Sequence, residues 1–174
     1  MNKTVLYGLL GLSFILMKLW YRTASVESLA FILRPISQVV EWIMGQSAIH
    51  IANEGFLFGD LNIIISKSCS GFNFFLTCLL MLAVLLIINL HLIKKKLSAG
   101  LIFLVITYVV TLTANCSRII TALHLKPYSQ SLFPDDLVHA AIGIVTYCSF
   151  LIATYFLVEK IIIKKLTYAD ATPS

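Results

Sequence analysis

Residues 72–92 read Phe-Asn-Phe-Phe-Leu-Thr-Cys-Leu-Leu-Met-Leu-Ala-Val-Leu-Leu-Ile-Ile-Asn-Leu-His-Leu, without one Asp, Glu, Lys or Arg. As a helix rising 1.5 Å per residue, that stretch is about 31 Å long, the thickness of a bilayer's hydrocarbon core. Two runs downstream repeat the pattern, Leu97 to Cys116 and Leu137 to Val158. Short basic clusters separate or follow them: Lys94, Lys95 and Lys96, then Lys160, Lys164 and Lys165. These three runs decide the class. The chain is read as an all-α integral membrane protein.

Composition agrees. Of 174 residues, 59% are apolar and 12% charged, and the mean hydropathy is +0.94. Soluble domains carry about a quarter charged residues. So few charges cannot coat a soluble globule, which excludes an ordinary soluble domain, a disordered chain and a disulfide-stapled secreted module. The net charge of +5 is spread over clusters between apolar runs, as in the loops of multi-span proteins. No nucleic-acid motif accompanies it, so no nucleic-acid partner is expected. Cys69, Cys78, Cys116 and Cys148 form no CxxC pair, which argues against a disulfide framework or a zinc site.

Toward the N-terminus the signals weaken. Val5 to Trp20 is shorter, with Lys18 placed to snorkel from its end. It has the length of a signal peptide's apolar region, but Leu-Trp-Tyr-Arg follows instead of a small-residue cleavage site, so it is read as retained. In Ser28 to Ser47, Ile36, Val39, Val40, Ile43 and Met44 recur at helical spacing. Arg34, Gln38 and Glu41 line another face. Such a helix either spans with its polar face turned into the bundle or lies amphipathically at the interface. We read it as spanning, which gives about five transmembrane helices in a single membrane domain, over approximately 4–21, 28–47, 71–92, 97–117 and 137–158.

The preference of Lys and Arg for the cytoplasmic side then sets the topology. With Lys94–Lys96 and Lys160–Lys165 inside, residues 48–71 and 118–136 lie outside. Lys18 and Arg22 fall inside and the N-terminus outside. Segment 48–70 is broken by Asn53-Glu54-Gly55 and Gly59-Asp60 between short β-branched and aromatic runs. It reads as a β-hairpin-like extracytoplasmic flap before the third helix. The tail after Lys165 is polar and reads as loose.

On this topology Cys69 precedes the third helix, Arg118 ends the fourth and His139 opens the fifth, all outside. A thiol, a guanidinium and an imidazole at one depth make up a cysteine acyl-transfer site. Each also has a structural reading: a packed thiol, a snorkelling Arg, an interfacial His. Cys69 stands apart because it lies in Ser68-Cys69-Ser70-Gly71 at a helix N-terminus. Unpaired amides there lower a thiol's pKa and hold an oxyanion, and Gly71 admits a substrate backbone. Asn115 shares a turn with Arg118. Asp135 and Asp136, after Pro134, read as an N-cap, with Asp136 also placed to orient His139. His50 and His124 compete for the histidine role, whereas His91 lies on the other side.

Three blocks carry a resemblance. Cys69-Ser70-Gly71, Asn115-Cys116-Ser117-Arg118 and His139-Ala140-Ala141-Ile142-Gly143 resemble, in order, the C-S-G, N-x-x-R and H-x-x-x-G blocks of the exosortase/archaeosortase family. The resemblance covers about residues 30 to 160 and is closest to compact members such as the exosortase K type, since additional spans and a periplasmic domain are missing. It implies a cysteine transpeptidase of the bacterial cytoplasmic (inner) membrane. Such an enzyme cleaves C-terminal sorting tails of membrane-anchored exported proteins through a thioester. It implies Cys69 as nucleophile, Arg118 as electrostatic stabiliser and His139 as proton carrier, with Asn115, Asp136, Ser70 and Gly71 in support. The expected partners are the lipid bilayer and those anchored substrates, and no metal or organic cofactor is required. Two other classes compete: a thiol–disulfide oxidoreductase using Cys69 and Cys116, and a non-catalytic scaffold or small transporter subunit using the Arg34-Gln38-Glu41 face.

Overall fold

The computed structural model describes residues 2–89, 96–129 and 135–163. Four helices are long and apolar enough to cross a membrane: α1 (Lys3–Thr23), α3 (Phe72–Ile88, preceded by a 3-10 turn at Lys67–Cys69), α4 (Lys96–Ser129) and α5 (Asp135–Leu157). Between α1 and α3 lie the shorter α2 (Ala30–Met44) and three strands, β1 (Ile49–Ile51), β2 (Gly55–Phe58) and β3 (Ile63–Ile65). The all-α membrane class stands, with the small sheet as its one β element.

α1 runs along α3, α3 along α4 and α4 along α5. The direction of α1 is fixed by three lysines. Lys3 Nζ donates to the Ile88 carbonyl at 3.2 Å, Lys18 Nζ to Asn73 Oδ1 at 2.6 Å, and Lys67 Nζ to the Arg22 and Ala24 carbonyls at 3.0 and 2.7 Å. The Tyr21 hydroxyl adds a bond to the Lys67 carbonyl at 3.1 Å. α1 is therefore antiparallel to α3, with Tyr21 and Arg22 at the Cys69 end and Lys3 at the far end.

This geometry corrects two expectations. The segment 28–47, read as a fifth span, forms a 3-10 turn at Glu27–Leu29 and the 15-residue α2, only about 22 Å long. Glu27, Arg34 and Glu41 interrupt it, and it is not among the helices of membrane-crossing length. The segments before and after it meet on one side. Ala24, just before it, is bonded by Lys67, and the Glu27 carboxylate accepts the Asn53 N–H at 2.7 Å. With one crossing fewer, Lys18 and Arg22 share the Cys69 end and the N-terminal Lys3 lies opposite, the reverse of the charge-based placement. The helical periodicity of α2 was correct, but protein buries one apolar stripe of it, while Phe31, Val39, Trp42 and Ile43 stay exposed. Ile32, Leu33, Ile36 and Val40 are fully buried and pack with Phe58, Ile65, Phe72, Phe75, Cys116 and Ile119. Its polar face turns outward, with Arg34 and Gln38 exposed rather than inside the bundle.

The flap is a three-stranded antiparallel sheet, one strand more than the hairpin expected, in the order β1-β2-β3. Leu57 pairs with Ile49 on one side and with Ile64 on the other. Gly55 is required at the start of β2. At φ +130°, a Cβ there would stand 2.2 Å from the Ile65 carbonyl oxygen. A second apolar cluster, including Phe74, Cys78, Leu82 and Leu85 of α3 with Phe103 and Ala114 of α4, fills the shaft below. α2 and the sheet thus cap one end of a four-helix shaft, and β3 leads directly into Cys69.

Candidate active site

The three sequence blocks reach the same end on three helices. α4 carries a buried polar stripe, Thr107, Thr111 and Asn115. The two threonines return their hydroxyls to the carbonyls of Phe103 and Thr107, at 2.8 and 2.7 Å. That is how a hydroxyl is satisfied in an apolar interior. Asn115 reaches across to α3 instead, donating Nδ2–H to the main-chain carbonyl of Cys69. Gly71 makes this possible. It adopts a left-handed conformation at φ +68°, and a Cβ there would meet Asn115 Cγ at 3.0 Å. The close approach of the asparagine accounts for a glycine here.

From Asn115 the contacts pass to α5. The Tyr147 hydroxyl donates to Asn115 Oδ1 at 2.7 Å and accepts from Arg118 Nη1 at 3.1 Å. Arg118 Nη2 contacts His139 Nε2. A guanidinium can only donate, so in a hydrogen bond here Nε2 is the acceptor. The Arg118 plane also lies over the Tyr147 ring, 5.6 Å to its centroid, and Gly143 sits against Nε, where a Cβ would come within 3.3 Å. Nε itself is buried without a partner among the described residues. Asn115 does not hold Arg118 directly; Tyr147 stands between them.

Cys69 is half-buried, and its Sγ lies 3.9 Å from Ser68 Oγ. Its N–H donates to the Ser66 carbonyl at 2.9 Å and that of Ser70 to the Lys67 carbonyl at 3.1 Å. The Phe72 N–H is taken by the buried Ser70 Oγ at 3.3 Å. The amides of Cys69, Ser70 and Phe72 are thus already bonded, because α3 begins at Phe72, three positions after Cys69, and a 3-10 turn fills the interval. An oxyanion there would look to Arg118. A cleft of about 340 Å³ opens at this level; Ser68, Gly71, Arg118, His139 and Tyr147 are among its walls, with Phe72 and Phe74 on the apolar side.

The remaining expectations resolve as follows. His50 is exposed on β1, beside Phe56 at 5.1 Å. His124 donates from Nδ1 to the Ile120 carbonyl at 2.9 Å. Neither is among the cleft's walls, nor is Cys69, which sits between the wall residues Ser68 and Gly71 in sequence. The side chain of Asp136 and the residue Pro134 lie outside the described parts. Cys69 and Cys116 are free thiols, as are Cys78 and Cys148.

A model of the transmembrane exosortase family matches residues 3–157. The chain belongs to that family. No curated protein and no solved structure matches it. Exosortase membership and the four apolar helices support a multi-pass membrane protein. The residue that the sequence reading missed is Tyr147. Its signal was present: His139, Gly143 and Tyr147 are spaced four apart, so one face of α5 carries all three.

Proposed function

We propose that this exosortase is a cysteine transpeptidase of the bacterial inner membrane that cleaves the C-terminal sorting tail of membrane-anchored exported proteins. The observation that carries the reading is the continuous chain of contacts from the Cys69 carbonyl through Asn115, Tyr147 and Arg118 to His139, beside one cleft. The lysines at 94–96 and 160–165 flank the opposite ends of the spans, which supports an extracytoplasmic cleft. The substrate's own membrane anchor would confine its sorting motif to that surface, reducing the orientational cost of the encounter.

In the proposed reaction His139 accepts the Cys69 thiol proton. The thiolate then attacks the motif's carbonyl carbon to give a tetrahedral oxyanion. Once protonated, the imidazole has no acceptor left for Arg118, and two cations in a low-dielectric site repel. Proton uptake thereby releases the imidazole toward the leaving amine and leaves the guanidinium to the oxyanion. The C–N bond breaks, the amine takes the proton, and a thioester remains on Cys69. An incoming nucleophile, deprotonated by His139, attacks the thioester and frees the thiolate.

The test is processing of a tailed substrate in cells. Cys69→Ala is expected to abolish cleavage and accumulate the anchored precursor. Arg118→Ala should slow it by roughly 10²–10³-fold. Normal processing by the Cys69→Ala variant overturns the reading.

A further inference from the structure

We propose that Tyr147 is a positioning residue of this site: its hydroxyl, shared between Arg118 and Asn115, holds the guanidinium on His139 while tying α5 to the Cys69 turn. The proposal rests on the acyl-transfer reading above and adds a residue to it.

The argument begins with the supply of donors and acceptors. The hydroxyl of Tyr147 is one donor and one acceptor, and both are used, on Asn115 Oδ1 at 2.7 Å and Arg118 Nη1 at 3.1 Å. Asn115 spends its other end on the Cys69 carbonyl. No other described hydrogen bond fixes Arg118 on the side away from His139, and its Nε is buried and unpartnered. Without the hydroxyl, the guanidinium keeps only its flat contact over the ring and its contact with the imidazole. The ring is held independently by stacking on Phe74, 4.7 Å between centroids. Removing the oxygen alone therefore leaves the packing and deletes the two bonds.

A side chain that merely filled space would not need its oxygen. Tyr147 has its hydroxyl at the centre of the site, where the three helices meet. The charged and titratable groups within its reach are Arg118 on α4, Cys69 ahead of α3 and Tyr21 on α1, with His139 of its own helix joined through Arg118. A guanidinium set free would weaken its electrostatic support of a thiolate, so Cys69 should become harder to ionise.

The experiment reads Cys69 directly. The full-length protein in detergent is treated with iodoacetamide across a pH series, and alkylation of the Cys69 peptide is followed by mass spectrometry. Arg118→Ala is expected to move the Cys69 profile to higher pH and slow alkylation near neutrality at least tenfold. Tyr147→Phe should move it the same way, by threefold or more, with the protein still assembled. In the Arg118→Ala background Tyr147→Phe should add nothing, because it acts through the guanidinium. If Arg118→Ala shifts the profile and Tyr147→Phe does not, or if the two effects add, the positioning role is refuted while the acyl-transfer reading survives. If neither variant shifts it, the positioning role is refuted, and the acyl-transfer reading is decided separately by processing in the Cys69→Ala variant. Should the Phe variant fail to assemble, a fluorinated tyrosine at 147, whose phenol ionises at lower pH, keeps the shape. It should add an inflection to the Cys69 profile, and a curve without one overturns the proposal.

Discussion

α1 and α2 are neighbours in sequence, both apolar and both helical, yet they meet different solvents. α1 is 21 residues long with none buried; Leu9, Leu12, Ile15 and Leu16 all face outward. α2 is 15 residues long and buries Ile32, Leu33, Ile36, Ser37 and Val40. Apolar content alone does not separate a lipid-facing span from a plug in a protein core. Length and the spacing of charges do. Lys18 lies near one end of the 21-residue α1, where a long side chain can leave the bilayer, whereas Arg34 and Glu41 together break up the 15-residue α2. The two helices are also fastened differently, α1 by polar contacts along one neighbour and α2 by packing on every side of an apolar stripe.

The sharpest way to break this contrast is labelling. If α2 stays at the Cys69 end, single cysteines introduced at Ser25 and Asn53 in a background lacking the native cysteines should both react with a membrane-impermeant maleimide from one side. Modification from opposite sides would restore a fifth crossing. Next come paired truncations. Leu33→Ala should cost about 2–5 kcal/mol, as cavities in packed cores do, and the lipid-facing Leu12→Ala about 0.5 kcal/mol or less, read as thermal denaturation in one detergent. Equal losses would dissolve the distinction. Gly71→Ala, which sets a Cβ against Asn115 from a left-handed backbone, should cost about 1–3 kcal/mol and loosen the bond to Cys69. Gly8→Ala, in α1 where a Cβ meets nothing, should be neutral or mildly stabilising.

The smallest effect concerns the joint between the two helices. The Asn53 N–H holds the Glu27 carboxyl below its ordinary pKa of 4.5. A lowered folded-state pKa adds stability above the unfolded value, and that stability is lost as the pH falls through the folded one. Glu27→Gln should therefore lower the thermal midpoint slightly at neutral pH and make no difference in strong acid. A constant offset across that range would remove the charge from the account.

What could be read from the chain followed from period and length. The runs at 72–92, 97–116 and 137–158 became α3, α4 and α5 because uninterrupted apolar stretches leave the backbone no other satisfied state in lipid. Cys69, Arg118 and His139 could be assigned to one end because each sits at the end of such a run. The three short runs that became strands were visible too, because Gly-containing turns separate them; their joining into one sheet was not, because Ile63–Ile65 has no alternation to mark a face. The direction of α1 escaped because charge counting had to assume the number of crossings, which the burial of α2 decides. Tyr147 lies in mid-span, where an aromatic reads as lipid-facing or core until a neighbouring helix presents an amide and a guanidinium to its oxygen.

The three ammonium groups along the α1–α3 seam carry a consequence for handling the protein. Beside the packing of Phe14, Met17 and Tyr21 on the core, α1 is held by straps, and a strap made of primary amines can be cut chemically. Acetylating Lys3, Lys18 and Lys67 would remove the donors' charge and leave the hydrophobic cap intact, so α1 should swing free as a stave while the remaining barrel stays closed. Purification buffers and crosslinkers that consume amines would then report on a loosened assembly and not on the native one.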